Sequence, residues 1–238
     1  MAEWPKGYAL RQYESIDSTN DEARRLASAG ERGPLWITAR VQRSGKGRRG
    51  RVWVSQDGNL FATLLTAGGN ARSGELAFLA GLAAGETVAA FAPNATVSLK
   101  WPNDVLLNGK KTAGILLENF GAALAIGVGI NLTSYPPGTE FPATSIKENA
   151  DVAPESGAAL TVLAGAMAAW YEVWRTCGFT PLREAWLQRA SGLGKQVRAR
   201  LETEEVQGVF ETLDGDGALM LRMSDNSLRR IAAGDVFV

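Results

Sequence analysis

Residues 96–131 read TVSLKWPNDVLLNGKKTAGILLENFGAALAIGVGIN, a run of short apolar stretches separated by turn signals. The dipeptide Asn108-Gly109 lies between two of these stretches and is the strongest short-range signal for a β-hairpin. Pro102 lacks a backbone N–H and forces Trp101 into an extended conformation, so one strand ends there. The stretch predicts a largely antiparallel sheet with strands over residues 96–101, 105–107, 112–118 and 122–131.

The flanking stretches predict helices before and after this run, and a β-rich C-terminus. Asp17-Ser18-Thr19-Asn20 is dense in N-cap residues and precedes a helical pattern that ends at Gly30. Further strands are predicted over residues 34–42 and 59–66, and further helices over residues 75–91, 155–175 and 181–190. The last of these helices has Thr180 as its predicted N-cap. From Gly192 onward the pattern predicts only short strands, over residues 196–201, 207–213, 218–222 and 228–232.

The fold class that follows is α+β, with a mixed sheet and helices in residues 1–191 and a small all-β barrel in residues 192–238. These ranges are the two predicted domains.

The composition is that of a globular protein and excludes several chemistries. Of the 238 residues, 25 are Lys or Arg, 25 are Asp or Glu, and 45% are hydrophobic. The zero formal net charge argues against a general nucleic-acid binder. The single cysteine excludes an internal disulfide and a cysteine-based zinc site, and the absence of histidine excludes Ser-His-Asp and Cys-His catalysis. No apolar stretch approaches the ~18–20 residues that span a bilayer, and no signal peptide is recognisable, so we expect a cytoplasmic protein.

Residues 42–51, QRSGKGRRGR, are rich in glycine and arginine. They contain the spacing G-x-G-x-x-G, but a strand pattern follows instead of a helix, so a dinucleotide-binding interpretation fails. We call residues 43–51 the Gly/Arg loop. Its cations are Arg43, Lys46, Arg48, Arg49 and Arg51. Close like charges repel by ~1–4 kcal/mol per pair near a protein surface. We expect a loop that is mobile without ligand and orders around a polyanion; the alternative is a solvated basic loop or a nucleic-acid patch.

Three other segments have both a functional and a purely structural interpretation. After the Asn108-Gly109 turn, Lys111 returns near Asp104, either at a site or as a surface ion pair of ~0–1 kcal/mol. Ser18-Thr19-Asn20 is by default a helix N-cap. Residues 127–131, GVGIN, are a glycine-rich stretch that ends in a polar amide, which suits a site. The structural interpretation is a strand end packed closely against a helix.

Taken together and in this order, these segments resemble the biotin protein ligases, and the resemblance covers nearly the whole chain. The matching motifs are S-T-N at 18–20, Q-x-x-G-K-G-R-R-G-R at 42–51, K-W-P-N-D at 100–104, G-K-K-x-A-G-I-L-x-E at 109–118 and G-x-G-I-N at 127–131. The resemblance implies a catalytic domain like that of class II aminoacyl-tRNA synthetases and a C-terminal SH3-like barrel. It also implies a two-step reaction: biotin and ATP give biotinyl-5′-AMP, and a lysine of the biotin carboxyl carrier protein of acetyl-CoA carboxylase, or of a related carboxylase, then takes the biotin.

The resemblance also implies roles for individual residues. The implied catalytic residues are Arg48, Lys111 and Asp104; for Asp104 three roles stay open, which are orienting Lys111, binding Mg²⁺ and helping to deprotonate the acceptor lysine. The implied biotin-binding residues are Ser18, Thr19, Asn20, Gln42, Gly45, Lys46, Gly47, Arg48, Lys111 and Gly114. The implied residues for ATP and the adenylate are Arg48, Arg51, Trp53, Lys100, Asn103, Lys111 and Asn131.

Two departures from the family pattern bear on function. Many relatives have arginine where this chain has Lys46, which keeps the charge but loses the bidentate fork. Only about seventeen residues precede Ser18, too few for an N-terminal DNA-binding domain, so we expect no specific DNA partner. A membrane partner is not expected, and a homodimer is compatible with the sequence. The alternatives are a lipoate- or octanoate-type acyltransferase of the same superfamily and a non-enzymatic nucleic-acid module.

Overall fold

The computed structural model describes residues 3–68 and 73–237, and its larger sheet has seven strands. In chain order they are β1 Ala9–Ile16, β2 Leu35–Gln42, β3 Leu60–Ala67, β4 Val97–Lys100, β5 Asp104–Leu107, β6 Lys110–Asn119 and β7 Ala123–Ile130. Their order in the sheet is β1-β2-β3-β7-β6-β5-β4. Only β1 and β2 pair in parallel, and every other pair is antiparallel, as the sequence predicted.

Four α-helices cover the two faces of this sheet. They are α1 Thr19–Ser28, α2 Leu76–Phe91, α3 Ser156–Cys177 and α4 Thr180–Leu187. Because successive strand residues point to opposite faces, Leu35 and Ile37 pack with α1 in a small cluster, whereas Trp36 belongs to the main core with α2, α3 and α4. Most residues of α2 are shielded from solvent, as its alanine- and leucine-rich sequence requires.

The C-terminal region is a five-stranded antiparallel sheet. Its strands are β8 Gln196–Arg200, β9 Glu205–Leu213, β10 Leu219–Arg222, β11 Leu228–Ile231 and β12 Asp235–Phe237, in the order β11-β10-β9-β8-β12. Its inner residues, such as Phe210, join the same buried cluster as the larger sheet. The Trp101 Nε1 donates to the Gly217 carbonyl at 3.0 Å and fixes a turn of this region against the K-W-P-N-D hairpin.

Two strands, β1 and β12, were not predicted from the sequence, and α4 begins one residue earlier than predicted. β1 is an exposed edge strand whose residues are mostly polar, so it lacks the alternation that marks a half-buried strand. β12 has three residues, too few for a periodicity signal. α4 begins at Thr180, with Phe179 in the N-cap position, so the prediction that Thr180 is the N-cap was wrong by one residue. Among the described helices, none is long and apolar enough to cross a membrane.

Candidate functional site

A cavity of about 300 Å³ opens between the Gly/Arg loop, the K-W-P-N-D hairpin, β6, β7 and β12. Nearly all of the residues singled out from the sequence line it: Ser18, Thr19, Asn20, Gln42, Lys46, Gly47, Arg48, Arg51, Trp53, Lys100, Asn103, Asp104, Lys111, Gly114 and Asn131. Gly45 does not line the cavity. It lies behind the wall, where its carbonyl accepts from the Trp53 backbone N–H at 2.9 Å and a Cβ would lie 2.4 Å from Ser55 Oγ.

One end of the cavity is lined by uncharged polar side chains, which a hydrogen-bond network holds in place. The backbone N–H and the Oγ1 of Thr19 both donate to Gln42 Oε1, at 2.8 and 3.1 Å. Thr63 Oγ1 donates to Asn20 Oδ1 at 2.6 Å, and Asn20 Nδ2 donates to Glu118 Oε2 at 2.7 Å. Since each amide is held from both sides, Gln42 and Asn20 present fixed donors and acceptors to the cavity.

The N-cap prediction for Ser18-Thr19-Asn20 was right about position and wrong about chemistry. Ser18 has extended backbone angles and occupies the N-cap position of α1, but it makes no side-chain capping hydrogen bond. The Thr19 and Asn20 side chains reach the sheet instead. A Cβ at Gly127 would lie 2.4 Å from Asn20 Oδ1, so β7 needs a glycine there to admit the amide.

The opposite end of the cavity is built around a buried carboxylate. Lys111 Nζ lies 2.6 Å from Asp104 Oδ1, which confirms that the hairpin returns Lys111 to Asp104. Lys100 Nζ lies 3.6 Å from Asp104 Oδ2 and 3.2 Å from the centre of the Phe141 ring. The Asp104 side chain is only 9% exposed, so the surface-ion-pair interpretation was wrong. Burial lowers the pKa of Lys100 to about 8, against the attraction of Asp104, which raises it.

Arg48 extends from the Gly/Arg loop across the cavity to the hairpin. Its Nη1 donates to Asn103 Oδ1 at 3.1 Å, while Asn103 Nδ2 donates to the Ile115 carbonyl at 2.7 Å. Burial lowers the pKa of the Arg48 guanidinium from its ordinary value, and the charge of Asp235 opposes that shift. A guanidinium stays protonated at neutral pH, so the cavity has a fixed cation at its middle.

Sequence reasoning missed the carboxylates that face the Gly/Arg loop. Asp235 Oδ2, in β12, lies 2.5 Å from Arg51 Nη2, 3.4 Å from Arg49 Nη1 and 3.3 Å from Arg200 Nη2. Burial raises the pKa of the Asp235 carboxyl, but the hydrogen bond and charge of Arg51, together with Arg200 and Arg49, outweigh burial and lower it overall.

A second carboxylate, that of Asp21 in α1, forms an ion pair with Lys46. Its Nζ lies 2.7 Å from Asp21 Oδ1, in a side chain that is 10% exposed. Asp21 and Asp235 therefore relieve part of the like-charge repulsion that the sequence predicts. Neither had a recognisable signal, because they lie in elements far from the loop along the chain. Whether the loop orders on ligand binding stays a prediction.

Trp53 and Asn131 form the wall next to these cations. A Cβ at Gly129 or Gly114 would lie 2.5 or 3.0 Å from the Trp53 ring, so both glycines admit the indole. Among the described residues the buried Trp53 Nε1 has no hydrogen-bond partner. Asn131 Nδ2 donates to the Thr144 carbonyl at 3.1 Å and holds the segment over residues 142–144, whose backbone pairs with Lys111.

The carboxylate predicted near Mg²⁺ does not form a metal cage. Both oxygens of Asp104 face ammonium groups, and no cluster of three Asp, Glu, Cys or His side chains occurs in the described part of the chain. Mg²⁺ requires near-octahedral oxygen ligands and is commonly held by substrate phosphates with one or two carboxylates. The geometry therefore favours orienting Lys111 over binding a metal as the role of Asp104.

The cavity combines a neutral hydrogen-bonding end with a strongly cationic end, and it lies on a mixed sheet. Comparisons with known proteins identify the class of protein that has this arrangement. Residues 13–132 match the Biotin/lipoate A/B protein ligase family, and residues 192–238 match the Biotin protein ligase C terminal domain. The chain belongs to the biotin/lipoate A/B protein ligase family.

Individual relatives narrow this comparison. The chain is 44% identical over 220 residues to the biotin–[acetyl-CoA-carboxylase] ligase of Paracoccus denitrificans, covering 87% of this chain and 91% of the relative. It is 30% identical to the bifunctional ligase/repressor BirA of Bacillus subtilis, covering 97% of this chain and 74% of that protein. Its fold is similar to that of the biotin protein ligase from Aquifex aeolicus in complex with biotin and ATP, with a TM-score of 0.85, 24% identity and coverage of 96% and 97%.

Proposed function

We propose that this protein activates biotin with ATP to biotinyl-5′-AMP and transfers the biotin to a lysine of a biotin carboxyl carrier protein of acetyl-CoA carboxylase or a related carboxylase. The observation that carries the proposal is the polarity of the cavity: firmly held uncharged side chains line one end, Arg48 lies in the middle, and Lys111 lies next to the buried Asp104 at the other end. The first end suits a neutral ureido head, and the second suits a carboxylate that meets a triphosphate.

The first step needs no histidine and no general base. A carboxylate is ionised at neutral pH, so its oxygen attacks the α-phosphorus directly, and pyrophosphate leaves with the electron pair of the broken P–O bond. The obstacle is the repulsion between two anions. Arg48 and Lys111 reduce it and stabilise the charge that develops in the transition state. Alignment of the two reactants in one cavity supplies roughly 7–11 kcal/mol of the barrier. MgATP is the substrate, and its phosphates carry the metal.

We assign the neutral end to biotin. Ser18, Thr19, Asn20 and Gln42 hydrogen-bond its head, and its chain passes Gly114, over which the Trp53 ring lies. Gly47 and Lys46 close over it, and Gly45 supports them from behind. Because Lys46 is already paired with Asp21, it contributes charge and position, without the bidentate contact that an arginine could make.

We assign the cationic end to the nucleotide. Trp53 lies against the adenine, and Gly129 of β7 leaves room for its ring at this end of the cavity. Asn131 positions the segment over residues 142–144 at the same end. The phosphates face Arg48, Arg51 and Lys100, while Asn103 orients Arg48 through their hydrogen bond. Asp104 orients Lys111 toward the carboxyl and α-phosphate oxygens.

The finer parts of the proposal concern organisation and location. Residues 1–191 form the catalytic domain and residues 192–238 the C-terminal domain, with the boundary before the first strand of the five-stranded sheet. We propose a cytoplasmic location, which suits a reaction that uses ATP and the carrier protein of a carboxylase. We propose no specific DNA partner, and a homodimer remains compatible with this function.

The test is pyrophosphate release on mixing the protein with MgATP and either biotin or lipoate. We expect release with biotin only, followed by a mass increase of a carrier domain by one biotinyl group. Release with lipoate and not with biotin would assign the chain to the lipoate branch of the family. Salt-sensitive nucleic-acid binding without any pyrophosphate release would favour the non-enzymatic alternative.

A further inference from the structure

A second cavity of about 310 Å³ lies beside the first. Residues common to the linings of both cavities are Arg48, Trp101, Pro102, Asn103, Ile115 and Leu116. The second cavity continues between α2 and the C-terminal sheet, past Phe78 and Ala218, and ends at an exposed rim that includes Ala232. Apart from the shared Arg48 and Asn103, the proposed activation of biotin assigns no role to the polar residues of this cavity.

Arg48 and Asn103 line both cavities and are joined by a hydrogen bond, which we take as the partition between them. In the proposed function these residues lie at the acyl phosphate, where biotin and AMP are joined. The first cavity, at about 300 Å³, is at the small end of the range of ligand pockets. With the adenylate bound, little space is left there for a second reactant. A nucleophile that comes through the second cavity would instead meet the acyl carbon on the side of Arg48.

The lining of the second cavity suits the side chain of a lysine. Phe78, Trp101 and Leu117 give it apolar walls, against which a tetramethylene stem can pack. At the outer end, Asp216 and Arg230 line the cavity, and the Asp216 side chain is 84% exposed. An exposed carboxylate at this position attracts an ammonium group from solvent.

We propose that the second cavity is the entry route for the acceptor lysine, which reaches the adenylate past the Arg48–Asn103 partition; this rests on the proposed function. Desolvation between the apolar walls lowers the pKa of the amine, which releases its proton to solvent on entry. The neutral Nζ forms a C–N bond to the acyl carbon. The acyl C–O bond to phosphate breaks with its electron pair on AMP, and the nitrogen loses one further proton to solvent.

The test compares two neighbouring alanines that differ in position. Ala232 lines the second cavity, whereas Ala233 is exposed and does not line it. Ala232→Phe places a ring in the mouth, and Ala233→Phe is the matched control. Three rates are measured for each variant: pyrophosphate release with biotin and MgATP, biotin transfer to a recombinant carrier domain of acetyl-CoA carboxylase, and trapping of the adenylate by hydroxylamine.

We expect Ala232→Phe to lower kcat/KM for the carrier domain at least tenfold, while pyrophosphate release and hydroxylamine trapping stay within twofold of Ala233→Phe. Equal transfer by the two variants, or a parallel fall in pyrophosphate release and transfer, would overturn the route. If Ala232→Phe does not fold, Ala77→Met on α2 narrows the same cavity and is subject to the same criteria. An absence of pyrophosphate release from the unmodified protein would instead refute the proposed function itself.

Discussion

Replacement of Lys111 by alanine tests the electrostatic part of the mechanism most directly. Its Nζ lies 2.6 Å from Asp104, and its side chain is 26% exposed, so it borders the cavity without belonging to the core. Two unit charges 4 Å apart interact by about 4 kcal/mol at the dielectric of a protein surface. Loss of that attraction to the reacting oxygens corresponds to a fall of about 10³-fold in the rate of adenylate formation.

The assay is pyrophosphate release in the pre-steady state, with the adjacent and exposed Lys110→Ala as the control for general charge loss. We expect Lys110→Ala to stay within about twofold of the unmodified protein. Both variants should unfold within a few degrees of it, because Asp104 keeps Lys100 as a partner. A Lys111→Ala rate within tenfold of that of Lys110→Ala would refute the assignment of Lys111 to the reaction centre.

Four further predictions follow from the contacts. Gly127→Ala should weaken biotin binding at least tenfold by isothermal titration, because its Cβ would strike Asn20 Oδ1, whereas Gly157→Ala on α3 meets no atom within 4 Å and should have no effect. Asp235→Asn should lower the melting temperature at pH 7, and the difference in melting temperature from the unmodified protein should shrink below about pH 4. The reason is that the folded-state pKa of this carboxyl is lowered. Such a group stabilises the protein above its unfolded-state pKa and loses that contribution as the pH falls. Limited proteolysis of the Gly/Arg loop should slow when biotin and MgATP are added; equal cleavage would contradict an ordering role. In a gel shift with promoters of biotin-synthesis genes at physiological salt, no saturable, sequence-dependent complex should form even with the adenylate, because the C-terminal arginines are paired with neighbouring carboxylates.

Local sequence signals predicted the hairpin and its chemistry because both arise from neighbours along the chain. Asn108 has a positive φ, as the Asn108-Gly109 turn requires, and the antiparallel register then brings β6 back beside Asp104. The same reasoning failed at Ser18-Thr19-Asn20, because a helix cap and a set of polar ligand-binding groups have the same local composition. The strand pairing that brings Thr63 and Glu118 to Asn20 is long-range and left no local trace.

The cationic end of the site depends on contacts that no local pattern could reveal. In the proposed function these contacts give the C-terminal sheet a role in the first step. Asp235 holds Arg51 from β12, and Arg200 joins that carboxylate to Glu140 in the segment over the cavity. In the same segment, Phe141 stacks on Phe237 with ring centres 4.7 Å apart, and Lys100 lies over its face. Among the described residues the neutral end has no comparable contact, since its bonded partners come from the larger sheet, α1 and Ser55. In the proposed function the C-terminal sheet therefore positions the groups for the nucleotide, whereas the larger sheet and α1 position those for biotin.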